Sequence, residues 1–231
     1  MHFVPMRTLL GFILVVASLA ATRSAAQALL DDADLKAFAT HINRTPKQDW
    51  PGYGIYLGAG LILTASHVPG NVAETKPHVV IAGLDLPASL VRQGSIEGVD
   101  LTLLAVDATR LPVRLQMRRM PLCERAPFRG EAVVVATPEG TARSRVLSPA
   151  AVPAELRARF DTVIGYVAAT GNSGSGVFDA ADQCLLGIIS RKISVARIGT
   201  PLGAPALTRD IAKYFVPARD IRAFIPQGVS Y

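Results

Sequence analysis

Leu61-Ile62-Leu63-Thr64-Ala65-Ser66-His67-Val68 is the stretch on which the reading of this chain turns. An apolar, strand-forming run ends in two small residues and then a histidine. Small neighbours let an imidazole reach an open cleft. Taken alone, the histidine reads equally well as a core or turn residue. Outward in both directions the texture repeats, with short runs rich in Val, Ile, Leu and Tyr broken by Gly, Pro and Asn. Predicted strands are 54–57, 61–64, 78–81, 88–92 and 101–106, then 132–136, 143–147, 162–168, 176–178 and 185–190. Many short strands separated by turn signals specify an all-β sandwich or barrel. Helical signals are confined to the ends. Asp31, Asp32 and Asp34 precede Leu35-Lys36-Ala37-Phe38, acidic residues where a helix N-terminus favours them. Ala218 to Ile225 follows Pro217 as a short closing helix. Residues 110–122, with two prolines and four arginines, read as a connector between two sets of strands.

The chain has 231 residues, of which 50% are hydrophobic and 18% charged, which excludes a disordered polypeptide. Met1 to Arg7 is basic, Leu9 to Ala21 is almost wholly apolar, and Ser24-Ala25-Ala26 offers small residues. That is the layout of a secretory signal, residues 1–26, cut after Ala26. The apolar run is about 13 residues, short of the roughly 20 needed to span a bilayer. The mature chain, 27–231, is therefore expected to be secreted or periplasmic, with no membrane attachment after cleavage. Loss of Arg7 and Arg23 with the signal takes the formal charge from +6 to +4. The densest basic cluster, Arg114, Arg118 and Arg119, has no interleaved aromatic residue and reads as a solvated connector, not a nucleic-acid site. Cys123 and Cys184 are the only cysteines. One disulfide is the simplest accounting in an exported chain, with two buried thiols as the other reading. They make a poor zinc site, and neither metal nor cofactor is expected.

Two further segments carry chemistry. In Gly98-Val99-Asp100-Leu101-Thr102-Leu103-Leu104, an aspartate opens an apolar strand that should bury it. A buried carboxylate needs a partner. Asp85 and Asp107 are weaker candidates, one in a turn-like setting and one following its strand. In Thr170-Gly171-Asn172-Ser173-Gly174-Ser175-Gly176-Val177-Phe178, glycines flank Ser173, so the backbone can turn sharply and aim its N–H groups at a ligand. A serine hydroxyl is a weak nucleophile without a base, and such a turn also supplies donors for an oxyanion.

His67, Asp100 and Ser173, in that order on strand ends of an all-β chain, resemble the trypsin/chymotrypsin superfamily of serine proteases in its short bacterial form. Thr64-Ala65-Ser66-His67 resembles the family's Thr-Ala-Ala-His, and Asp100-Leu101-Thr102-Leu103-Leu104 its Asp-Ile-Ala-Leu-Leu. Residues 171–178 resemble its Gly-Asn-Ser-Gly-Gly-Pro-Val-Phe, and Gly187-Ile188-Ile189-Ser190 its Gly-Ile-Val-Ser. The resemblance covers about residues 50–225. It implies two six-stranded antiparallel β-barrels, about 50–112 and 122–216, a closing helix at about 218–225, and a cleft between the barrels. It further implies an endopeptidase in which Ser173 attacks, His67 is the base, and Asp100 orients it. Gly171 and Ser173 would supply the oxyanion hole, and Val167, Thr170 and Ser190 would line the substrate cleft. The superfamily often ties the regions of Cys123 and Cys184 by a disulfide. Peptides or proteins are the expected partners, of a monomer.

Departures from the pattern are informative. Asn172 stands where digestive members carry an Asp that pairs with a newly cut N-terminus, so no such activation is expected. Ser66 replaces an Ala, read as a tolerated exchange of small residues. Val167 falls where trypsin-like members bind Lys or Arg with an Asp, which disfavours basic substrates. Arg191 and Lys192 either narrow the pocket, or attract acidic substrates, or point to solvent. A catalytically silent homologue that binds peptides is the alternative function. An α/β-hydrolase esterase fits poorly, because Gly-Asn-Ser-Gly-Ser lacks the last Gly of Gly-x-Ser-x-Gly and the alternating helices are missing.

Overall fold

Strands whose two faces are both covered need continuous apolar runs, not alternation, because successive side chains point to opposite faces. Leu61-Ile62-Leu63 is such a run. Ile62 packs with Ile42, Tyr56, Val79, Leu86 and Leu104, while Leu61 and Leu63 pack with Ile55, Leu57, Leu103, Val134 and Phe178. The computed structural model describes residues 32–44, 52–165, 172–196 and 208–231. The signal segment 1–26 lies outside them. Among the described residues no helix is long and apolar enough to cross a membrane.

In chain order, α1 (Asp32–Lys36) leads into β1 (Ala39–Asn43), followed by β2 (Gly52–Gly58) and β3 (Leu61–Thr64). A single turn, α2 (Val72–Thr75), precedes β4 (His78–Ile81), β5 (Leu84–Pro87), β6 (Ser89–Gln93) and β7 (Thr102–Ala105). The connector holds the short helix α3 (Val113–Gln116). Then come β8 (Ala132–Ala136), β9 (Thr141–Arg145), β10 (Val163–Gly165), β11 (Gly176–Asp179), β12 (Leu185–Ala196), β13 (Thr208–Pro217) and α4 (Ala218–Phe224).

The strands form two antiparallel sheets, ordered β5-β4-β1-β2-β3-β7-β6 and β10-β13-β12-β11-β8-β9. Only Ala88 separates β5 from β6, so one bent strand supplies both edges of the first sheet. The ends of the second sheet meet through the Val146–Ile164 bridge and the Leu147 N–H donating to the Val163 carbonyl (2.8 Å). Val133, Val135, Val177, Leu186, Ile189 and Phe215 fill the second sheet's interior. Between the sheets a shared core takes Ile55, Leu57, Leu63 and Leu103 from one and Val134, Phe178, Ile188 and Val216 from the other. Helix α4 seals it with Ile221 and Phe224, and the Arg92 guanidinium donates to the Phe224 carbonyl (2.7 Å).

The all-β expectation and its closing helix are met. The second sheet has six strands as expected; the first has seven because of the bend at Ala88. Three strands escaped the sequence reading. β5 lies where Asp85 was read as turn-like, yet it pairs with β4. β1 lies in the segment read as a lead-in, yet it pairs with both β2 and β4. β13, Thr-Arg-Asp-Ile-Ala-Lys-Tyr-Phe-Val-Pro, carries charges that disguise it, and it pairs with β12 over nearly its whole length.

Cys123 and Cys184 form a disulfide, which settles the cysteine alternatives. Cross-linking residues 61 apart restricts the unfolded chain by about 4 kcal/mol in the chain-entropy account. Replacing both cysteines by alanine should lower Tm by about 10 °C, measured by calorimetry under non-reducing conditions. An unchanged Tm would show that the bond adds nothing to the packing around it.

Candidate active site

Strand β3 ends at Thr64, and the chain turns at once, with the Val68 N–H donating to the Ala65 carbonyl (3.0 Å). Ala65 and Ser66 are buried in this turn. They leave His67 partly exposed, its side chain 33% accessible. Arg44, just after β1, fastens the turn by donating to the His67 and Val68 carbonyls (both 3.0 Å). Asp100 precedes β7, the neighbour of β3, so sheet pairing alone brings the two residues together. The His67 Nδ1 lies 2.9 Å from Asp100 Oδ2 and 3.2 Å from Oδ1.

Asp100 is 2% exposed. Burial alone would raise its carboxyl. Hydrogen bonds from His67, then Ser190, then Ser66, outweigh burial and hold it well below the usual carboxylate range. Ser66 Oγ donates to Oδ1 and Ser190 Oγ to Oδ2, both at 2.5 Å. The His67 backbone N–H adds a longer contact to Oδ1 (3.3 Å). The weaker aspartates are placed elsewhere. Asp85 pairs with His78 at 2.7 Å, and Asp107 caps a turn at Thr109.

Ser173 comes from the second sheet, in the turn before β11. Its carbonyl accepts from the Tyr53 N–H of β2 (2.9 Å), and the Tyr53 carbonyl accepts from Thr64 Oγ1 (2.5 Å). The Ser173 loop therefore docks against the strand pair that delivers His67. Gly174 makes this approach possible. It has φ +88°, and a Cβ there would lie 1.8 Å from the Tyr53 carbonyl oxygen. Ser173 Oγ donates to the Ser190 carbonyl (3.2 Å); among the described residues it has no hydrogen bond to His67. Ser190 thus touches both partners, through its carbonyl to Ser173 and through its hydroxyl to Asp100. The sequence reading had placed it in the substrate cleft. Val167, Thr170 and Gly171 lie outside the described residues.

Beyond Ser190, Arg191 folds back. It donates to the Ile96 carbonyl (2.8 Å) and stacks over Phe160. Lys192 is exposed and pairs with Asp210 at 3.2 Å. Opposite Lys192 on β13 lies Lys213, whose ammonium burial pushes down to about 8. Asn172 is buried, and among the described residues its Oδ1 has no hydrogen-bond partner. Among the described residues no group of three or more His, Cys, Asp or Glu side chains is placed to hold a metal ion.

Residues 52–188 match the model of the trypsin-like peptidase domain. The chain belongs to the trypsin-like peptidase family. No curated protein sequence matches it significantly. Among solved structures it is similar to the Rv3671c protease of M. tuberculosis in an inactive form, at TM-score 0.55 and 15% identity, covering 83% of this chain and 89% of that one. It is also similar to a serine endoprotease from Yersinia pestis, at TM-score 0.55 and 20% identity, covering 86% of this chain and 64% of that one. Kallikrein-related peptidase 10 matches at TM-score 0.56 and 18% identity, over 81% and 93% of the two chains. At these identities the likeness is one of fold, and the fold is chymotrypsin-like.

Within this trypsin-like domain the hydroxyl of Ser66 was missed as a contributor. The only signal in the sequence was its departure from the family's alanine.

The ionised Asp100 has a direct consequence for stability. Its folded pKa lies below its unfolded value, so the stability it contributes is present above about pH 4 and lost as pH falls through the folded value. Between about pH 5 and pH 2, the unfolding free energy of Asp100→Asn should fall less steeply than that of the parent, read from urea titrations. Parallel curves would mean that Asp100 is not held ionised by the fold.

Proposed function

We propose that the chain is a serine endopeptidase with His67, Asp100 and Ser173 as its catalytic residues. The observation that carries this reading is the buried Asp100 carboxylate. It is held on His67 Nδ1 at 2.9 Å, and Ser190 connects it to Ser173. Asp100 keeps the proton on Nδ1, which leaves Nε2 as the basic nitrogen. For reaction the Ser173 hydroxyl leaves the Ser190 carbonyl by rotation about one side-chain bond and turns to Nε2. As its oxygen bonds the scissile carbonyl carbon, its proton passes to Nε2 and then to the leaving amine. Water repeats the sequence on the acyl-enzyme.

The backbone N–H groups of Gly171 and Ser173 serve the oxyanion, and Val167 and Thr170 border the side-chain pocket. The substrates are peptides or proteins. Asn172 cannot form the ion pair that switches on digestive relatives, so removal of the signal suffices for activity. The disulfide fits an oxidising compartment, secreted or periplasmic.

One observation favours a second reading, a silent peptide-binding homologue. The Ser173 hydroxyl is engaged by the Ser190 carbonyl and not by the base. A peptide-library digest read by mass spectrometry separates the two. The endopeptidase cuts internal bonds, few of them after Lys or Arg, and Ser173→Ala abolishes cutting. A folded parent protein that cuts nothing would favour the silent homologue.

A further inference from the structure

The Ser66 hydroxyl lies 2.5 Å from Asp100 Oδ1 in a buried turn, on the carboxylate oxygen opposite the one nearest His67. The Ala that the family pattern carries at this position has no donor to offer. Without Ser66, Oδ1 would keep only the longer His67 contacts at 3.2 and 3.3 Å. With Ser66 on Oδ1 and Ser190 on Oδ2, both at 2.5 Å, the carboxylate cannot swivel about its Cβ–Cγ bond without breaking a short charge-assisted hydrogen bond.

We infer that Ser66 is a positioning residue for the general base: it fixes the plane of the Asp100 carboxylate and sets how strongly that carboxylate attracts a proton on His67. The inference rests on the reading of His67 as the base. Each donor to Asp100 draws off part of its negative charge and weakens its stabilisation of the imidazolium. With Ser66 present, the Asp100 carboxylate therefore pulls less strongly on an imidazolium proton than it would beside an alanine.

The other groups around the pair do not bond through Ser66. Ser190 Oγ and the His67 N–H reach Asp100 directly. The nearby cations are Arg44, on the His67 carbonyl, and Arg191, whose Nε is 3.4 Å from Ser190 Oγ. Both act on groups other than the Ser66 hydroxyl.

The test is the titration of the His67 ring by NMR in ring-labelled protein. It is made in a Ser173→Ala background, where no turnover is needed, and compares Ser66, Ser66→Ala and Ser66→Thr. Ser66→Ala installs the family's own residue, so folding is not at risk. The expected result is a proton affinity of His67 raised about threefold in Ser66→Ala, with Ser66→Thr, which keeps a hydroxyl, titrating like the parent. In the Ser173 enzyme the acid limb of kcat/KM moves to higher pH by the same amount. Equal midpoints in parent and Ser66→Ala, or Ser66→Thr shifting with Ser66→Ala, would overturn the inference. A shifted midpoint in a protein that cleaves no peptide would leave Ser66 in its role and remove the protease reading instead.

Discussion

Everything at the candidate site depends on keeping one buried carboxylate ionised. An isolated charge taken out of water costs far more than a domain's whole stability, so it persists only when donors surround it. Asp100 is 2% exposed and meets this demand with donors from three places: the turn after β3, the imidazole of His67, and Ser190 on β12. The first two belong to the first sheet and the third to the second. The same bonds that make burial tolerable therefore tie the two sheets together at this site and fix the orientation of His67.

The second constraint is steric. Ser173 reaches the first sheet because Gly174 has no side chain to meet the Tyr53 carbonyl. Thr64, one turn upstream of His67, hydrogen-bonds that same carbonyl. His67 and Ser173 are thus positioned from a common point on β2. The shared apolar core beneath them makes that point rigid, because interiors packed at crystal-like density resist displacement. Catalytic groups held on strand ends above such a core keep their geometry better than groups on free loops.

Much of this was legible in the sequence, for identifiable reasons. Continuous apolar runs such as Leu61-Ile62-Leu63 and Val133-Val134-Val135 announce strands covered on both faces. Asp100 was singled out because a carboxylate opening an apolar strand demands a partner, and Ser173 because flanking glycines let the backbone turn sharply. What escaped reading follows from the same physics. β13 was hidden because Arg209, Asp210 and Lys213 look like solvent-facing charges, although Lys213 is buried. β1 was hidden by the acidic helix start that precedes it. Ser66 and Ser190 were underrated because a serine hydroxyl is too common to signal anything until its acceptor is known. Only the fold brings Ser190, 90 residues away in sequence, onto Asp100.

The central claim is that the Asp100–His67 pair makes Ser173 a nucleophile, and covalent capture tests it most directly. The folded, disulfide-bonded protein is treated with a fluorophosphonate, and intact mass and peptide mapping follow the adduct with time. The account predicts a single adduct on Ser173, formed faster as pH rises through the titration of His67 and slowed at least about a hundredfold in His67→Ala. No adduct on the folded protein, or one whose rate ignores the loss of His67, would contradict it.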